Sequence, residues 1–112
     1  MRYETNERLV DYILGLYKEF HEYMQKDDFF HALKSLRAMI CFVPSSFEMS
    51  LLVEFDKVIR SFGEDRTKGM KERAIERMAF ANDLYRLFNK IHSAFDAGGM
   101  FTKKTTSLRE EV

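Results

Sequence analysis

The sequence predicts an all-α fold: a four-helix antiparallel bundle followed by a mobile C-terminal tail. Four segments carry apolar residues at spacings of three and four, which is the period of a helix that buries one face. Turn and helix-end signals separate these segments. No stretch shows the alternation of apolar and polar residues, rich in β-branched side chains, that a strand needs. Because the connections are short, consecutive helices are expected to lie antiparallel.

The first two helices are predicted from their apolar faces and the signals at their ends. The first helix begins at Thr5 or Asn6, since either side chain can cap it, and Asp27 or Asp28 caps the second. Pro44 ends the second helix because it disfavours helical backbone angles in the residue before it. The two apolar faces consist of Leu9, Ile13, Leu16, Tyr17, Phe20, Tyr23 and Met24, and of Phe29, Ala32, Leu33, Leu36, Met39, Ile40 and Val43.

The third helix has the clearest start signal in the chain. Ser45 and Glu48 have the spacing of a capping box, in which Ser45 caps the helix and Glu48 bonds back to its backbone. Gly63 fits a left-handed residue that ends the helix. The predicted apolar face consists of Phe47, Leu51, Phe55, Val58, Ile59 and Phe62.

The fourth helix is the longest predicted element. It follows a charged connection, residues 64–69, begins at about Thr67 or Met70 and ends at Asp96, where Gly98 and Gly99 close it. Residues 1–99 therefore form one helical domain, in keeping with the length of the chain. Residues 100–112 are rich in Thr, Lys and Glu and have little to bury, so they are expected to be a flexible polar tail.

Composition limits the class of protein. The 112 residues are 46% hydrophobic, which indicates a globular chain, and 18 basic side chains balance 18 acidic ones. Cys41 is the single cysteine, so no intrachain disulfide can form; its apolar surroundings predict a small buried side chain in a reducing compartment. The polar start of the chain does not resemble a secretory signal, and no apolar run approaches the ~18 residues of a membrane span. A cytoplasmic protein without membrane contact is the expectation.

Motifs for catalysis, metal binding or cofactor binding are absent from the sequence. The histidines His21, His31 and His92 show neither a Glu-x-x-His pair nor zinc-ligand spacing. There is no nucleophile elbow and no phosphate-binding glycine loop. We therefore expect no enzyme activity, metal or cofactor. His92 lies within an apolar row and is interpreted either as a core or interface histidine bonded to a neighbour, or as a pH-sensitive contact.

A segment covering residues 16–44 has the pattern of a helical hairpin. It consists of Leu16, Tyr23, Ala32, Leu36 and Pro44 with the turn Lys26-Asp27-Asp28-Phe29. These residues resemble one hairpin of the tetratricopeptide family. Phe20 stands where that family keeps a small residue, and no second copy follows, whereas such repeats need about three units. The resemblance implies two antiparallel helices and a protein-binding role.

The fourth helix is apolar over about 200° of its surface, roughly twice what one neighbour covers. One row contains Ala74, Met78, Ala81, Tyr85, Phe88, His92 and Phe95; the other contains Phe80, Leu84, Leu87, Ile91 and Ala94. We therefore predict a non-enzymatic protein–protein interaction or structural module that self-associates, as a homodimer, through this helix. The predicted interface residues are Phe80, Leu84, Leu87 and Ile91, with Phe30, Phe42, Met49 and Val53 as a second candidate surface.

Nucleic-acid binding is the alternative function. Basic side chains gather before and at the start of the fourth helix; they are Arg66, Lys68, Lys71 and Arg73. Such a patch could follow a phosphate backbone. Acidic residues interleave with it, which is more typical of a solvated face whose charges pair with one another. A small nucleic-acid-associated accessory protein is therefore the second hypothesis, and a homo-oligomer or another protein partner is the first.

Overall fold

The chain folds into four α-helices and no strand within the residues that the structure describes. A computed structural model describes the backbone of residues 2–62 and 70–100 and the side chains of residues 7–61 and 74–100. The helices are α1 (Arg2–Gln25), α2 (Phe29–Ile40), α3 (Ser45–Phe62) and α4 (Met70–Ala97). They share one apolar core, so the predicted all-α bundle is confirmed. The predicted stop at Gly63, the connection 64–69 and the tail 101–112 lie outside the described residues.

Ring contacts fix the direction of α2 relative to α1. Tyr12 lies against Phe42, with ring centroids 5.4 Å apart, and Tyr23 lies against His31 at 5.1 Å. As the residue number rises in α1, the number of its partner falls. The two helices are therefore antiparallel, as the hairpin pattern predicted.

Contacts with α4 complete the topology. Tyr17 approaches Phe95 at 6.4 Å and His21 approaches Tyr85 at 6.3 Å, so α1 and α4 are antiparallel. Between α3 and α4, the Lys90 ammonium lies 2.7 Å from a Glu54 carboxylate oxygen. Eight residues further along the chain, just after α4, Gly98 lies so close to Pro44, just before α3, that a Cβ on the glycine would stand 2.7 Å from the proline ring. α3 and α4 are therefore antiparallel as well.

The turn between α1 and α2 depends on two aspartates. Asp27 has φ 55° and its N–H donates to the Met24 carbonyl at 3.1 Å, while the N–H of Asp28 donates to the Tyr23 carbonyl at 2.9 Å. This is a Schellman motif with a non-glycine residue in the left-handed position. Asp28 then caps α2, because its carboxylate accepts the backbone N–H of His31 at 3.3 Å and bonds the His31 ring at 2.7 Å.

Several predicted helix ends differ from the observed ones. α1 begins at Arg2, before the predicted caps Thr5 and Asn6. α2 ends at Ile40, because short hydrogen bonds such as Phe42 N–H to the Met39 carbonyl tighten the chain into a turn well before Pro44. α3 begins at Ser45 itself, so the capping position falls one residue earlier than predicted. The end of α4 is as predicted: Gly99 has φ 79° and closes the helix.

The core contains apolar residues from every helix. All predicted face residues of α2 are buried, and so are Ile13, Leu16, Phe20 and Met24 of α1. In α3 the prediction is partly wrong, since Phe47 and Ile59 are exposed. Both lie at the edges of the α3 face, where the neighbouring helices do not reach over them. The side chain of Phe62 lies outside the described residues.

Candidate interaction surface

The predicted interface row of α4 lies inside the protein. Phe80, Leu84, Leu87 and Ile91 are all buried by the chain's own helices, with Leu84 and Ile91 wholly inaccessible. Phe80 packs edge-on against Phe29 of α2 at 5.3 Å. The prediction that this row binds a partner is therefore wrong. One side of α4 faces α2, α1 and α3 together, so a single helix has three neighbours and its wide apolar arc is largely satisfied within one chain.

The other apolar row of α4 is divided between core and surface. Phe88 and Phe95 are buried, whereas Ala74, Met78, Tyr85 and His92 are exposed. At about 100° per residue the buried members lie on the side of the core and the exposed ones lie further round the helix. The excess apolar surface predicted for α4 therefore exists, but other residues form it.

Aromatic side chains join α1 to α4. Phe20 stacks on Phe88, with ring centroids 4.9 Å apart and planes 3° apart, and meets Tyr85 edge-on at 5.7 Å. His21 packs against Phe88 at 5.1 Å. Phe20 thus contacts α4 with its ring, which explains why a large residue stands where a tetratricopeptide hairpin has a small one. These contacts are of the geometry that stabilises aromatic pairs.

Tyr17 and His92 form a hydrogen bond across the same helix pair. The Tyr17 hydroxyl lies 3.1 Å from His92 Nδ1, and the two rings meet edge-on at 5.7 Å. His92 is exposed, so of the two predicted positions, core or interface, the core is excluded and the interface stays a prediction, while the expected bond to a neighbour is confirmed. Burial raises the pKa of the Tyr17 hydroxyl above its ordinary value of 10.0, because the phenolate would lose solvation.

Tyr17→Phe is expected to weaken the loss of stability in alkaline solution. Above pH 10.0 the unfolded Tyr17 releases its proton while the folded one, with its raised pKa, keeps it. The unfolded state is then favoured, so the folded-state advantage present below pH 10.0 is lost as pH rises. Urea midpoints of both proteins between pH 8 and pH 11 test this, and curves that stay parallel would contradict it. At neutral pH the variant should lose about 1 kcal/mol with the hydrogen bond to His92.

An open groove of about 630 Å³ runs between α3 and α4. Phe47 and Leu51 line it from α3, and Ala94 lines it from α4. The ion pair of Glu54 and Lys90 crosses it, so the two charged groups neutralise each other. Because Glu54 and Lys90 pair with each other, they do not act as a separate acid and base in the groove. In the described part of the chain, no three His, Cys, Asp or Glu side chains converge as metal ligands.

The second predicted surface does not form one patch. Phe30, Phe42, Met49 and Val53 are exposed, as expected from their positions off the main faces. Phe30 lies at the start of α2 and Phe42 lies in the turn after its end, so about 15 Å of helix separates them. Each is partly covered locally, Phe30 by the Lys34 ammonium 4.6 Å from its ring centre. Met49 and Val53, one turn apart, share the outer face of α3.

The basic residues predicted for nucleic acid are only partly described. Arg66 and Lys68 lie outside the described residues. The backbone places Lys71 and Arg73 in the first turn of α4, and their side chains lie outside the described set. The nucleic-acid hypothesis stays a prediction.

Cys41 differs from its predicted environment. The thiol is exposed just after α2, where the Arg37 guanidinium lies 3.2 Å from the sulfur. The apolar run around it predicted burial, but the turn after Ile40 directs the side chain outward.

Among the described residues, none of the helices has the length and apolar character needed to cross a bilayer.

α4 extends beyond the helices that pack on it. Phe80, which meets the start of α2, is the first core residue among the described side chains of α4. The contact of His21 with Tyr85 places Gln25, at the end of α1, near the level of Phe80. The pair of Glu54 and Lys90 likewise places the end of α3 within a turn of that level.

The part of α4 before Phe80 is therefore a projecting segment, residues 70–79, about 15 Å long. Its described side chains, from Ala74 to Ala79, are exposed except for the half-buried Glu76. A single helix of this length is marginal in water without tertiary contacts. Yet it carries Ile75, 68% exposed, and Met78, 71% exposed.

Four residues, which we call the outer seam, follow the solvent side of α4 across the projecting segment and onto the bundle. They are Ile75, Met78, Asn82 and Tyr85, all exposed. Their spacings of three, four and three repeat the a and d positions of a heptad. Ile75 belongs to neither of the two apolar rows predicted for the fourth helix. The heptad spacing was the signal that could have found the outer seam, but the stronger buried row beside it hid the pattern.

Comparison with protein-family models, with curated proteins and with solved structures finds no match for this chain.

Proposed function

We propose that the chain is a helical protein–protein interaction module that associates with a second copy of itself through the outer seam of α4. The observation that carries the proposal is an exposed row at heptad spacing, apolar at Ile75, Met78 and Tyr85, which begins on a helix end that has no neighbouring helix among the described residues. Apolar side chains in such a row usually mark an interaction surface. The proposal keeps the predicted role of the fourth helix and moves the interface to its opposite face.

Charge supports association between identical copies. Glu76, Arg77 and Asp83 all point roughly 120–140° away from the mid-line of the outer seam around the helix. The strip between Ala74 and Tyr85 is therefore uncharged. The whole chain has a formal net charge of zero, so two copies do not repel each other at long range.

Burial supplies the free energy. A fully buried Ile or Met contributes roughly 1.5–3 kcal/mol relative to exposure. Ile75 and Met78 are each about two-thirds exposed in one chain. A two-fold dimer buries both from each copy, and Tyr85 adds an aromatic ring. A contact made by one helix face of each copy belongs to the small end of specific interfaces, which fits a weak dimer with a Kd on the order of micromolar.

Met78→Glu is expected to convert the dimer to monomer without unfolding it. Glutamate at an exposed helix position changes folding stability by roughly 0.5 kcal/mol or less, but in the interface it buries an unpaired charge. Sedimentation velocity over a range of concentrations around the Kd gives the mass. Met49→Glu is the matched control, since Met49 is 72% exposed on α3 and Met78 is 71% exposed on α4.

The control separates the possible results. A wild-type chain that remains monomeric at every concentration contradicts the proposal. A dimer that Met49→Glu dissociates and Met78→Glu leaves intact would place the interface on the outer face of α3 instead.

A further inference from the structure

We infer that the two copies pair through antiparallel α4 helices, with the two-fold axis at the level of Phe80, so that each projecting segment lies on the bundle of the other copy. This inference rests on the proposed function and specifies its geometry. Two features support it: the spacing of the outer-seam residues along α4 and the position of the projecting segment.

The outer seam is complementary to itself in one antiparallel register. Antiparallel heptad helices pair an a position with a d position, and an axis at the level of Phe80 pairs Ile75 of one copy with Tyr85 of the other. The same axis pairs Met78 with Asn82. All four residues of the outer seam then face a residue of the outer seam in the second copy. Ile75 packs on an aromatic ring, and the amide of Asn82 stays near the edge of the flexible Met78 side chain.

Steric bulk favours this register over a parallel one. In the antiparallel pair, a projecting segment from one copy meets residues 81–90 of the other, so at each level only one of the two α4 helices has other helices packed on it, as far as the described residues extend. In a parallel pair in register, the projecting segments meet each other, and from Phe80 onward two complete bundles lie side by side. Helices must approach to about 8–10 Å for such contact. The antiparallel arrangement allows that approach along twice the length of helix.

Small side chains beside the outer seam permit close contact. Ala74, Ala79 and Ala81 flank it. Ala74 and Ala79 are exposed and Ala81 is half-buried, so none of them is fully enclosed by its own chain. Arg86, the next charged side chain along the face, approaches Asp83 at 3.8 Å on the side of α3. The antiparallel helix dipoles contribute a small additional stabilisation.

Disulfide trapping tests the register in the full chain with Cys41→Ser as background. Oxidation of an equal mixture of Ile75→Cys and Tyr85→Cys proteins is expected to give a crosslinked heterodimer, several-fold above the yield of either protein alone. In the antiparallel register, two copies of position 75 lie ten residues apart, about 15 Å, beyond the roughly 7 Å limit for a disulfide. A parallel pair gives the reverse pattern, in which each protein crosslinks with itself and the mixture adds nothing.

Cysteine at position 75 or 85 removes apolar contacts from the interface itself. A second measurement therefore uses a position outside the outer seam. A nitroxide label on Ala74→Cys, which lies beside the outer seam, should report a separation of at least about 18 Å between copies in the antiparallel pair, since twelve residues separate the two levels. A parallel pair brings the labels to about 10 Å. Self-crosslinking of Ile75→Cys or the short label distance overturns the inference and leaves the proposed dimer intact. A monomeric mass by sedimentation overturns both.

Discussion

Leu87→Glu is expected to unfold the protein. Leu87 is 2% exposed and belongs to the core that all four helices share. Glutamate there loses the burial of an apolar side chain and places a carboxylate where the described core offers no buried polar partner beyond Ser35. The expected loss is about 4 kcal/mol or more, a large part of the roughly 5–15 kcal/mol that stabilises a domain of this kind.

Circular dichroism and urea unfolding measure this loss directly. Leu87→Met is the conservative control and should cost less than about 1.5 kcal/mol, because volume and apolar character are nearly kept. Met78→Glu introduces the same carboxylate on the outer face of α4 and should leave the circular dichroism spectrum unchanged. A folded Leu87→Glu monomer with near-normal stability would show that this row of α4 is accessible, as the sequence had predicted.

Phe20→Ala is expected to destabilise the fold by about 3–5 kcal/mol. Phe20 is fully buried, and its ring stacks on Phe88 with planes 3° apart. Removing it loses the transfer free energy of the ring and leaves a cavity between α1 and α4. It also removes the edge contact with Tyr85 at 5.7 Å, a pair that exceeds simple burial by about 1 kcal/mol.

The same substitution at an exposed ring provides the comparison. Phe42 is 40% exposed and has an edge contact with Tyr12 at 5.4 Å. Phe42→Ala should therefore cost about 2 kcal/mol, because partial burial and one ring pair are lost but no enclosed cavity forms. Urea midpoints give both values, provided that the slope of the transition stays the same. Equal losses for the two variants would contradict the placement of Phe20 between α1 and α4.

Local signals in the sequence predicted the helices well. The spacing of apolar residues in α2 identified its whole buried face, and Asp28 and Gly99 mark helix ends where the sequence placed end signals. These features depend on residues within one or two turns of each other. Helical periodicity and backbone hydrogen bonding at helix ends operate over that range, so the sequence contains the necessary information.

Local pattern could not decide which apolar row of α4 is exposed. Phe80 and Met78 belong to neighbouring apolar rows of one helix. Helical periodicity favours the row of Phe80 as the interface at least as strongly as the row of Met78. Which row is covered depends on where α1, α2 and α3 lie around α4 and where they end. The exposure of Cys41 likewise depended on where α2 gives way to a turn.

The sequence by itself determined that this protein is a helical bundle, because the period of its apolar residues leaves no other way to bury them. The tertiary structure alone decided that Leu84 and Ile91 are internal while Ile75 and Met78 face solvent. Burial results from three helices meeting the fourth, and α4 is longer than the stretch that the other described helices cover. The length of helix left uncovered is a property of the packed assembly, which no single segment of the chain encodes.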